Sequence, residues 1–326
     1  MAVFTPVSKD DARALLEHYS LGSLCRLQGI SAGIENTNYF LDTTQGRYVL
    51  TLFEVLTHEQ LPFYIELMHY LARQGVPVPE PQRLNDGRLF TTLNGKPCAI
   101  VSRLAGQSVM APTTLHCRLS GEVLADIHLR GRDFAHHQPN LRGLSWWRST
   151  IPQVVQFVSP AQKQLLDTAL NEQIQLSQQP DYALLPSGPA HCDCFRDNVL
   201  FDGTADQPTM GGVIDFYFAG CDHWLFDVAV TVNDWCIDHQ NGQFDPALLA
   251  AWLGAYHAKR PFTEVEHKLW PAMLRAAALR FWVSRLYDYY CPRDAQILTP
   301  HDPTHFEMIL KQRLHNPIPA LGDFVD

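Results

Sequence analysis

The segment 191–198 combines a histidine, a carboxylate and an amide at a fixed spacing, and reads HCDCFRDN. A predicted strand follows it directly, and a second predicted strand, residues 212–214, ends at Asp215. A carboxylate such as Asp193 can orient an attacking hydroxyl group and accept its proton. Asn198 and Asp215 offer the oxygen ligands that Mg2+ prefers when it also binds the phosphates of ATP. The pattern predicts phosphoryl transfer from ATP, with Asp193 as the catalytic residue and Asn198 and Asp215 as metal ligands.

The context of this segment matters because HxDxxxxN alone has three fixed positions and occurs by chance in many chains. The strands on both sides and the aspartate at the end of the second strand supply the structural setting that the chemistry needs. A zinc site at Cys192 and Cys194 is not expected, since thiolate zinc sites usually have wider spacings. The eight cysteines are scattered, without a CxxC pair, and predict packing residues rather than a disulfide framework.

The segment resembles the catalytic loop of the aminoglycoside phosphotransferase and choline kinase group, which shares the protein-kinase-like fold. That loop usually reads HGDxxxxN, followed by IDF or IDW, and this chain has IDF at 214–216. The segment LADIH at 124–128 resembles the LAxLH helix of the group, and DVA at 227–229 resembles its D-L-A, whose aspartate is usually structural. Cys192 replaces the usual glycine, so an ordinary backbone conformation is expected there.

A narrower resemblance is to the bacterial homoserine kinase family of this fold. It covers residues 31 to 315 and is carried by GIENTNY at 33–39, GRYVLTL at 46–52, NLRGL at 140–144 with Trp146 and Trp147, NDWC at 233–236 and RAAALRFW at 275–282. This resemblance implies ATP- and Mg2+-dependent phosphorylation of L-homoserine to O-phospho-L-homoserine, in threonine biosynthesis. The alternatives are another small-molecule kinase of this fold, acting on choline, an aminoglycoside or methylthioribose, or a nucleotide-binding protein without turnover.

The resemblance also implies a nucleotide site in the first third of the chain. The loop over the phosphates would include Ser31, Gly33, Glu35, Asn36, Thr37 and Asn38, and the hinge would be Val101, Ser102, Arg103 and Leu104. Thr51 departs from the wider group, which commonly has lysine or arginine there to hold the phosphates. Either the homoserine branch manages without that charge, or another cation such as Arg47 contributes.

Homoserine carries an ammonium and a carboxylate, which a pocket should answer with acids or carbonyls and with arginine. The candidates are Asp197, Tyr217 and Asp234 near the catalytic segment, and Arg280 and Arg285 on a late helix. Arg280 and Ser284 share a helix face, as do Arg285 and Asp288. The alternative for each arginine is an ion pair inside a helical region. His191 and Arg196 are expected to support the catalytic loop, and the two tryptophans are pocket walls or core.

The elements around these residues predict an α+β protein. Strand patterns at 37–42 and 47–53, and at 88–92 and 97–101, form two hairpins, with helices after Ser8 and over 59–73. Later helices are expected at 120–128, 160–178, 246–258 and 264–290. With the resemblance, this predicts a two-lobed protein-kinase-like fold: a small antiparallel-sheet lobe, residues 1–103, which binds nucleotide and ends in the hinge, and a helical lobe, residues 104–326, with the catalytic loop and substrate pocket.

Composition narrows the class of protein. The chain has 326 residues, 25 Lys and Arg against 34 Asp and Glu, a net charge of −9 and 46% hydrophobic residues. It can bury a sizeable core and is too apolar to be disordered. The absence of a basic run argues against a nucleic-acid partner, and no apolar stretch reaches the about 20 residues of a membrane span. The charged N-terminus does not resemble a signal peptide. We expect a cytoplasmic enzyme whose partner is a small molecule, of unassigned oligomeric state.

Overall fold

The computed structural model describes residues 5–30, 36–291 and 301–324, which divide into two units after Ala105. The predicted boundary, after Arg103, lies close to this division. The first unit combines a sheet with two helices, and the second is mainly helical with short strands.

The first unit is built on a five-stranded antiparallel sheet. In the order in which they lie side by side, the strands are β1 (Leu24–Gly29), β2 (Asn36–Thr43), β3 (Arg47–Phe53), β5 (Lys96–Ser102) and β4 (Thr91–Leu93). The helices are α1 (Lys9–Leu16) before the sheet and α2 (Leu61–Arg73) between β3 and β4.

Helix α1 begins where the sequence predicts because Ser8 caps it. The Ser8 hydroxyl accepts a hydrogen bond from the Asp11 N–H at 3.0 Å, and the Asp11 carboxylate accepts one from the Ser8 N–H at 2.8 Å. Each residue therefore satisfies a backbone donor of the other. Leu15 and Leu16 then belong to the buried cluster that also contains Leu50 of β3, which fixes the helix on the sheet.

The second hairpin is shorter than predicted, since its first strand covers only 91–93 instead of 88–92. Asp86 accepts a hydrogen bond from the Arg88 N–H at 3.0 Å, and the Arg88 carbonyl accepts one from the Leu84 N–H at 2.8 Å. These local bonds hold Arg88 in a turn, so the strand starts later.

The second unit contains the remaining helices and strands. The helices are α3 (Thr114–Gly131), α4 (Leu144–Val154), α5 (Pro160–Ser177), α6 (Pro180–Ala183), α7 (Trp224–Trp235), α8 (Pro246–Lys259), α9 (Glu264–Tyr290) and α10 (Thr304–His315). The strands are β6 (Gln107–Ser108), β7 (Ser187–Ala190), β8 (Val199–Thr204), β9 (Gln207–Val213) and β10 (Gly220–His223). Strands β6, β8 and β9 form one sheet, and β7 pairs with β10.

Packing around α9 and packing between α3 and α8 organise this unit. Helix α9, with 27 residues, is about 40 Å long, and α4, α7 and α10 pack against it. Helix α3 packs on α8 across Gly121, where a Cβ atom would lie 2.4 Å from the Trp252 carbonyl oxygen. Only glycine allows this approach. The α+β class and the small antiparallel sheet are as predicted. Within the described ranges, no helix has the length and apolar character needed to cross a membrane.

Candidate active site

The β8–β9 hairpin brings the predicted catalytic residues together. Val199 at the start of β8 pairs with Val213 at the end of β9. Asn198, just before Val199, therefore lies beside Ile214, just after Val213. The Ile214 N–H donates to the Asn198 carbonyl at 2.9 Å. Asn198 Nδ2 donates to the Asp193 carbonyl oxygen at 2.9 Å and to Asp193 Oδ2 at 3.3 Å. Asp193, Asn198 and Asp215 therefore meet at one end of the hairpin.

The donor set at this end suits a cation that arrives with phosphates. The Asn198 amide directs its N–H donors to Asp193, which leaves Asn198 Oδ1 as the atom a cation would take, and Asp215 adds a carboxylate. The described part of the chain holds no group of three or more His, Cys, Asp or Glu side chains that could hold a metal ion. Mg2+ commonly binds through one or two protein oxygens, substrate phosphates and waters, so these residues fit it.

Asp227 on α7 anchors the start of the catalytic loop. Its Oδ2 accepts hydrogen bonds from the His191 N–H at 2.7 Å and from His128 Nε2 of α3 at 3.0 Å, and its Oδ1 accepts one from the Cys192 N–H at 2.8 Å. Burial opposes ionisation of Asp227, yet its hydrogen bonds and the nearby histidines hold its pKa below the ordinary value. The LADIH and DVA segments thus meet in space and support the loop.

His191 ties the loop to the strand that precedes Asp215. Its Nε2 lies 2.9 Å from the Ile214 carbonyl oxygen, and its ring packs edge-on against Phe216 with centroids 4.6 Å apart. Burial lowers the pKa of His191, so the neutral ring donates from Nε2. This geometry suits a supporting residue rather than a reacting one.

Cys192 departs from the expected ordinary conformation, because its φ is +61°. A side chain in this left-handed region costs about 1–2 kcal/mol. The His191 and Cys192 N–H groups each donate to Asp227, which holds the backbone in place, and the Cys192 side chain is buried. The conformation typical of glycine is thus kept with a cysteine. Asp215 is also left-handed, with φ 63° and ψ 60°.

Arg196 and Asp234 form a buried pair behind the loop. Asp234 Oδ2 accepts hydrogen bonds from the Arg196 N–H at 2.9 Å and from Arg196 Nε at 3.0 Å, and Asp234 Oδ1 accepts one from Arg196 Nη2 at 3.2 Å. Arg196 Nη1 also donates to the Met110 carbonyl. These bonds join Arg196 of the loop to Asp234 of α7. The support role of Arg196 and the substrate contact of Asp234 stay predictions.

The structure describes only part of the predicted phosphate loop, since Ser31, Gly33 and Glu35 lie outside the described residues. Asn36, Thr37 and Asn38 open β2. Thr37 Oγ1 donates to Glu54 Oε1 at 2.7 Å.

The residue opposite Asn38 is Thr51, where the wider group has a cation. The two are register partners on β2 and β3, and Thr51 Oγ1 donates to Asn38 Oδ1 at 2.7 Å. Thr51 is buried. A neutral hydrogen-bonded pair therefore takes the place of the usual positive charge at this point of the sheet.

The predicted hinge begins at the end of β5. The Ser102 N–H donates to the Glu80 carbonyl at 2.9 Å, and the Arg103 N–H donates to the Arg47 carbonyl at 3.1 Å. The Arg103 guanidinium carbon lies 3.9 Å from the centre of the Phe40 ring. These two N–H groups are engaged within the first unit. The part of Val101, Ser102, Arg103 and Leu104 in nucleotide binding stays a prediction.

The predicted substrate arginines lie near the catalytic loop. Arg280 is buried, with its guanidinium carbon 3.8 Å from the Phe281 ring centre and 5.2 Å from that of Phe218, and Nη1 donates to Ser284 at 3.5 Å. Arg285 packs over Phe306 at 4.7 Å. Burial lowers the pKa of Arg285, while Asp234, Asp193 and Asp197 oppose this shift. Tyr217 is the middle residue of the turn Phe216–Phe218, which follows Asp215 directly, and Asp197 is exposed.

Sequence reasoning did not place Arg142 at the site. Its guanidinium carbon lies 4.6 Å from the Trp146 ring centre and 5.8 Å from that of Phe218, in the turn after Asp215. The NLRGL segment does indicate an ordered turn at Arg142, because an asparagine two residues before the arginine is typical of a turn that a side chain stabilises. Trp147 is core, since it is buried beside Phe226.

A sheet unit, a helical unit and a loop that gathers Asp193, Asn198 and Asp215 define a phosphotransferase. The chain belongs to the phosphotransferase enzyme family APH, whose model matches residues 26–262. It is 57% identical to a homoserine kinase of Burkholderia ambifaria, over 99% of this chain and 98% of that protein. It is 55% identical to a homoserine kinase of Paraburkholderia phymatum, over 96% of this chain and 98% of that protein.

Solved structures confirm the predicted protein-kinase-like fold. Amicoumacin kinase hAmiN, in complex with AMP-PNP, Ca2+ and Ami, matches with a TM-score of 0.66 at 14% identity, over 94% of this chain and 92% of that chain. A microcompartment-associated aminopropanol kinase matches with a TM-score of 0.64 at 16% identity, over 94% of each chain. At these identities the likeness concerns the fold alone.

Proposed function

We propose that this protein transfers the γ-phosphoryl group of ATP to the side-chain hydroxyl of L-homoserine, and so forms O-phospho-L-homoserine and ADP. The observation that carries this proposal is the 57% identity to a homoserine kinase over 99% of the chain. The catalytic loop supports it, since Asp193, Asn198 and Asp215 occur together at one end of the β8–β9 hairpin.

The chemistry at Asp193 follows from its position. Its carboxylate orients the homoserine hydroxyl toward the phosphoryl group and accepts the hydroxyl proton as the new O–P bond forms. The Asn198 amide holds this carboxylate through the 3.3 Å hydrogen bond to Oδ2, which limits its rotation. Asn198 Oδ1 and Asp215 would hold Mg2+, which supplies positive charge to the phosphate oxygens when bound.

The proposal includes ATP and Mg2+ as cofactors, with a free amino acid as the substrate. Phosphorylated homoserine is an intermediate of threonine biosynthesis, which takes place in the cytoplasm, so we assign the protein to that pathway and compartment.

Substrate competition tests the proposal. Purified protein with ATP and MgCl2 is offered L-homoserine, choline, an aminoglycoside or methylthioribose, and ADP release is followed, with 31P NMR to identify the phosphorylated product. We expect homoserine to give the highest kcat/KM and a phosphomonoester on its side-chain oxygen. ADP release with homoserine no faster than without it, or a higher kcat/KM with another acceptor, would contradict the proposal.

A further inference from the structure

The loop 138–143, between α3 and α4, is held against strand β10. Asn140 Nδ2 donates to Asp222 Oδ2 at 2.7 Å, and the Asn140 N–H donates to the Cys221 carbonyl at 3.2 Å. Gly220 makes this approach possible, because a Cβ atom there would lie 2.7 Å from the Asn140 Cα. Since β10 follows the turn after Asp215, these contacts tie the loop to the catalytic region.

Arg142 is fixed within this loop on both sides of its backbone. Its N–H donates to Asn140 Oδ1 at 2.8 Å, and its carbonyl accepts a hydrogen bond from Trp147 Nε1 at 2.6 Å. The loop and the first turn of α4 therefore fix the backbone of Arg142, from which its side chain extends.

The Arg142 guanidinium lies near two aromatic rings, and the Arg280 guanidinium also lies near one of them. The rings near Arg142 are those of Trp146 and Phe218, and the one that Arg280 shares is Phe218. Throughout the described ranges, no ion pair includes Arg142. A guanidinium with no acid paired to it among the described residues favours an anion at this place.

We infer that Arg142 binds the carboxylate of the amino-acid substrate. This rests on the proposed function and names a residue of the same site. A guanidinium near the Trp146 ring can stack on it and keep in-plane N–H donors for a bidentate contact with a carboxylate. Arg280 is buried, with its guanidinium carbon 3.8 Å from the Phe281 ring centre, and Arg285 already has the carboxylates of Asp234, Asp193 and Asp197 around it. Arg142, which is only partly buried and has no acid paired to it among the described residues, is the arginine that suits a ligand which binds and dissociates.

The test compares two acceptors that differ in one group. L-Homoserine and 3-aminopropan-1-ol share the hydroxyl and the ammonium, but only homoserine has a carboxylate; the amino alcohol is measured as substrate and as competitive inhibitor. In Arg142→Met, we expect kcat/KM for homoserine to fall about 10- to 100-fold, mainly through KM. The constants for 3-aminopropan-1-ol and KM for ATP should change little. Arg142→Lys, which keeps the charge but not the planar fork, should lie between.

The matched control is Arg148→Met, since Arg148 is exposed on α4, and it should behave as the wild type. Comparing the two acceptors in one preparation removes the effect of partial misfolding. Misfolding lowers the apparent kcat/KM for both acceptors by the same factor and leaves KM unchanged. An equal loss for both acceptors, a rise in KM for ATP, or unchanged kinetics would overturn the inference and leave the proposed function standing. If the wild type does not phosphorylate homoserine, both are wrong.

Discussion

Asp227 Oδ1 accepts the Cys192 N–H at 2.8 Å, and this bond joins α7 to the one residue of the catalytic loop's first turn that has a positive φ. The other oxygen of Asp227 takes the neighbouring His191 N–H and His128. A buried carboxylate thus determines a backbone conformation that the side chain of Cys192 disfavours. Asp193, the next residue, depends on that conformation for its direction.

Asp227→Asn should weaken both the fold and turnover. An amide in this place offers one acceptor oxygen where the carboxylate offers two, so buried N–H groups lose their partner. We expect the free energy of unfolding to fall by about 2–4 kcal/mol and kcat to fall with it. Urea unfolding and steady-state kinetics measure the two. Asp126→Asn, which removes a surface pair with Lys259, should cost less than about 1 kcal/mol. Equal stability of the two variants would show that Asp227 is not the anchor.

Substitutions at Cys192 should follow the order set by backbone strain. Cys192→Gly should be more stable than Cys192→Ala by about 1–2 kcal/mol, because alanine keeps the left-handed penalty and glycine removes it. Cys194 is the control, because its φ is not positive. There alanine should be more stable than glycine. Thermal unfolding of the four variants tests this, and the same order at both positions would refute the role of strain.

Protonation linked to His305 should lower the free energy of unfolding in mild acid. Burial and the nearby Arg285, His239 and Arg196 lower its pKa to about 4, although Asp234 opposes the shift. Between the ordinary value of 6.5 and about 4, the unfolded chain binds a proton at this residue that the folded chain does not. The stability from His305 is complete above pH 6.5 and is lost as the pH falls toward 4.

The measurement is the free energy of unfolding in urea at several pH values from 7.5 to 4.5. His305→Gln should show a shallower decline than the wild type, by up to about 1.4 kcal/mol per pH unit. A decline in His305→Gln as steep as in the wild type would show that His305 does not titrate in this way.

Asp215→Asn should raise the metal requirement. The variant keeps the shape of the side chain but removes the negative charge that complements a divalent cation, so we expect the free Mg2+ concentration for half-maximal rate to rise about 10-fold or more. Initial rates at fixed ATP over a range of Mg2+ measure this. Asp202→Asn, on the exposed part of β8, should keep the wild-type curve. A wild-type Mg2+ dependence in Asp215→Asn would exclude Asp215 as a ligand.

Local patterns predicted the elements that carry the site. The β-branched and aromatic residues on both sides of a turn that contains Gly46 predicted the β2–β3 hairpin, and helix α9 covers the expected 264–290. HxDxxxxN followed by a strand-end aspartate predicted that Asp193, Asn198 and Asp215 would act together, because a hairpin returns its chain to the point where it began.

Contacts between distant segments could not be predicted in the same way. The hydrogen bonds from Arg196 to Asp234 were not predicted, because the two residues are 38 positions apart. The conformation of Cys192 is set by Asp227, 35 positions away, against the local preference of a side chain. Arg142 stands in the NLRGL motif without a predicted role, since its proximity to Phe218 arises from the contact between loop 138–143 and β10.

The most direct test of the account is the turnover of Asp193→Asn with homoserine. We expect kcat to fall about 10^2- to 10^4-fold, since the amide cannot accept the hydroxyl proton, while the Kd for ATP, measured by calorimetry, changes little. Asp206→Asn, in the exposed β8–β9 turn, should retain full activity. If Asp193→Asn phosphorylates homoserine at a rate close to that of Asp206→Asn, Asp193 is not the catalytic residue and the account of the site is wrong.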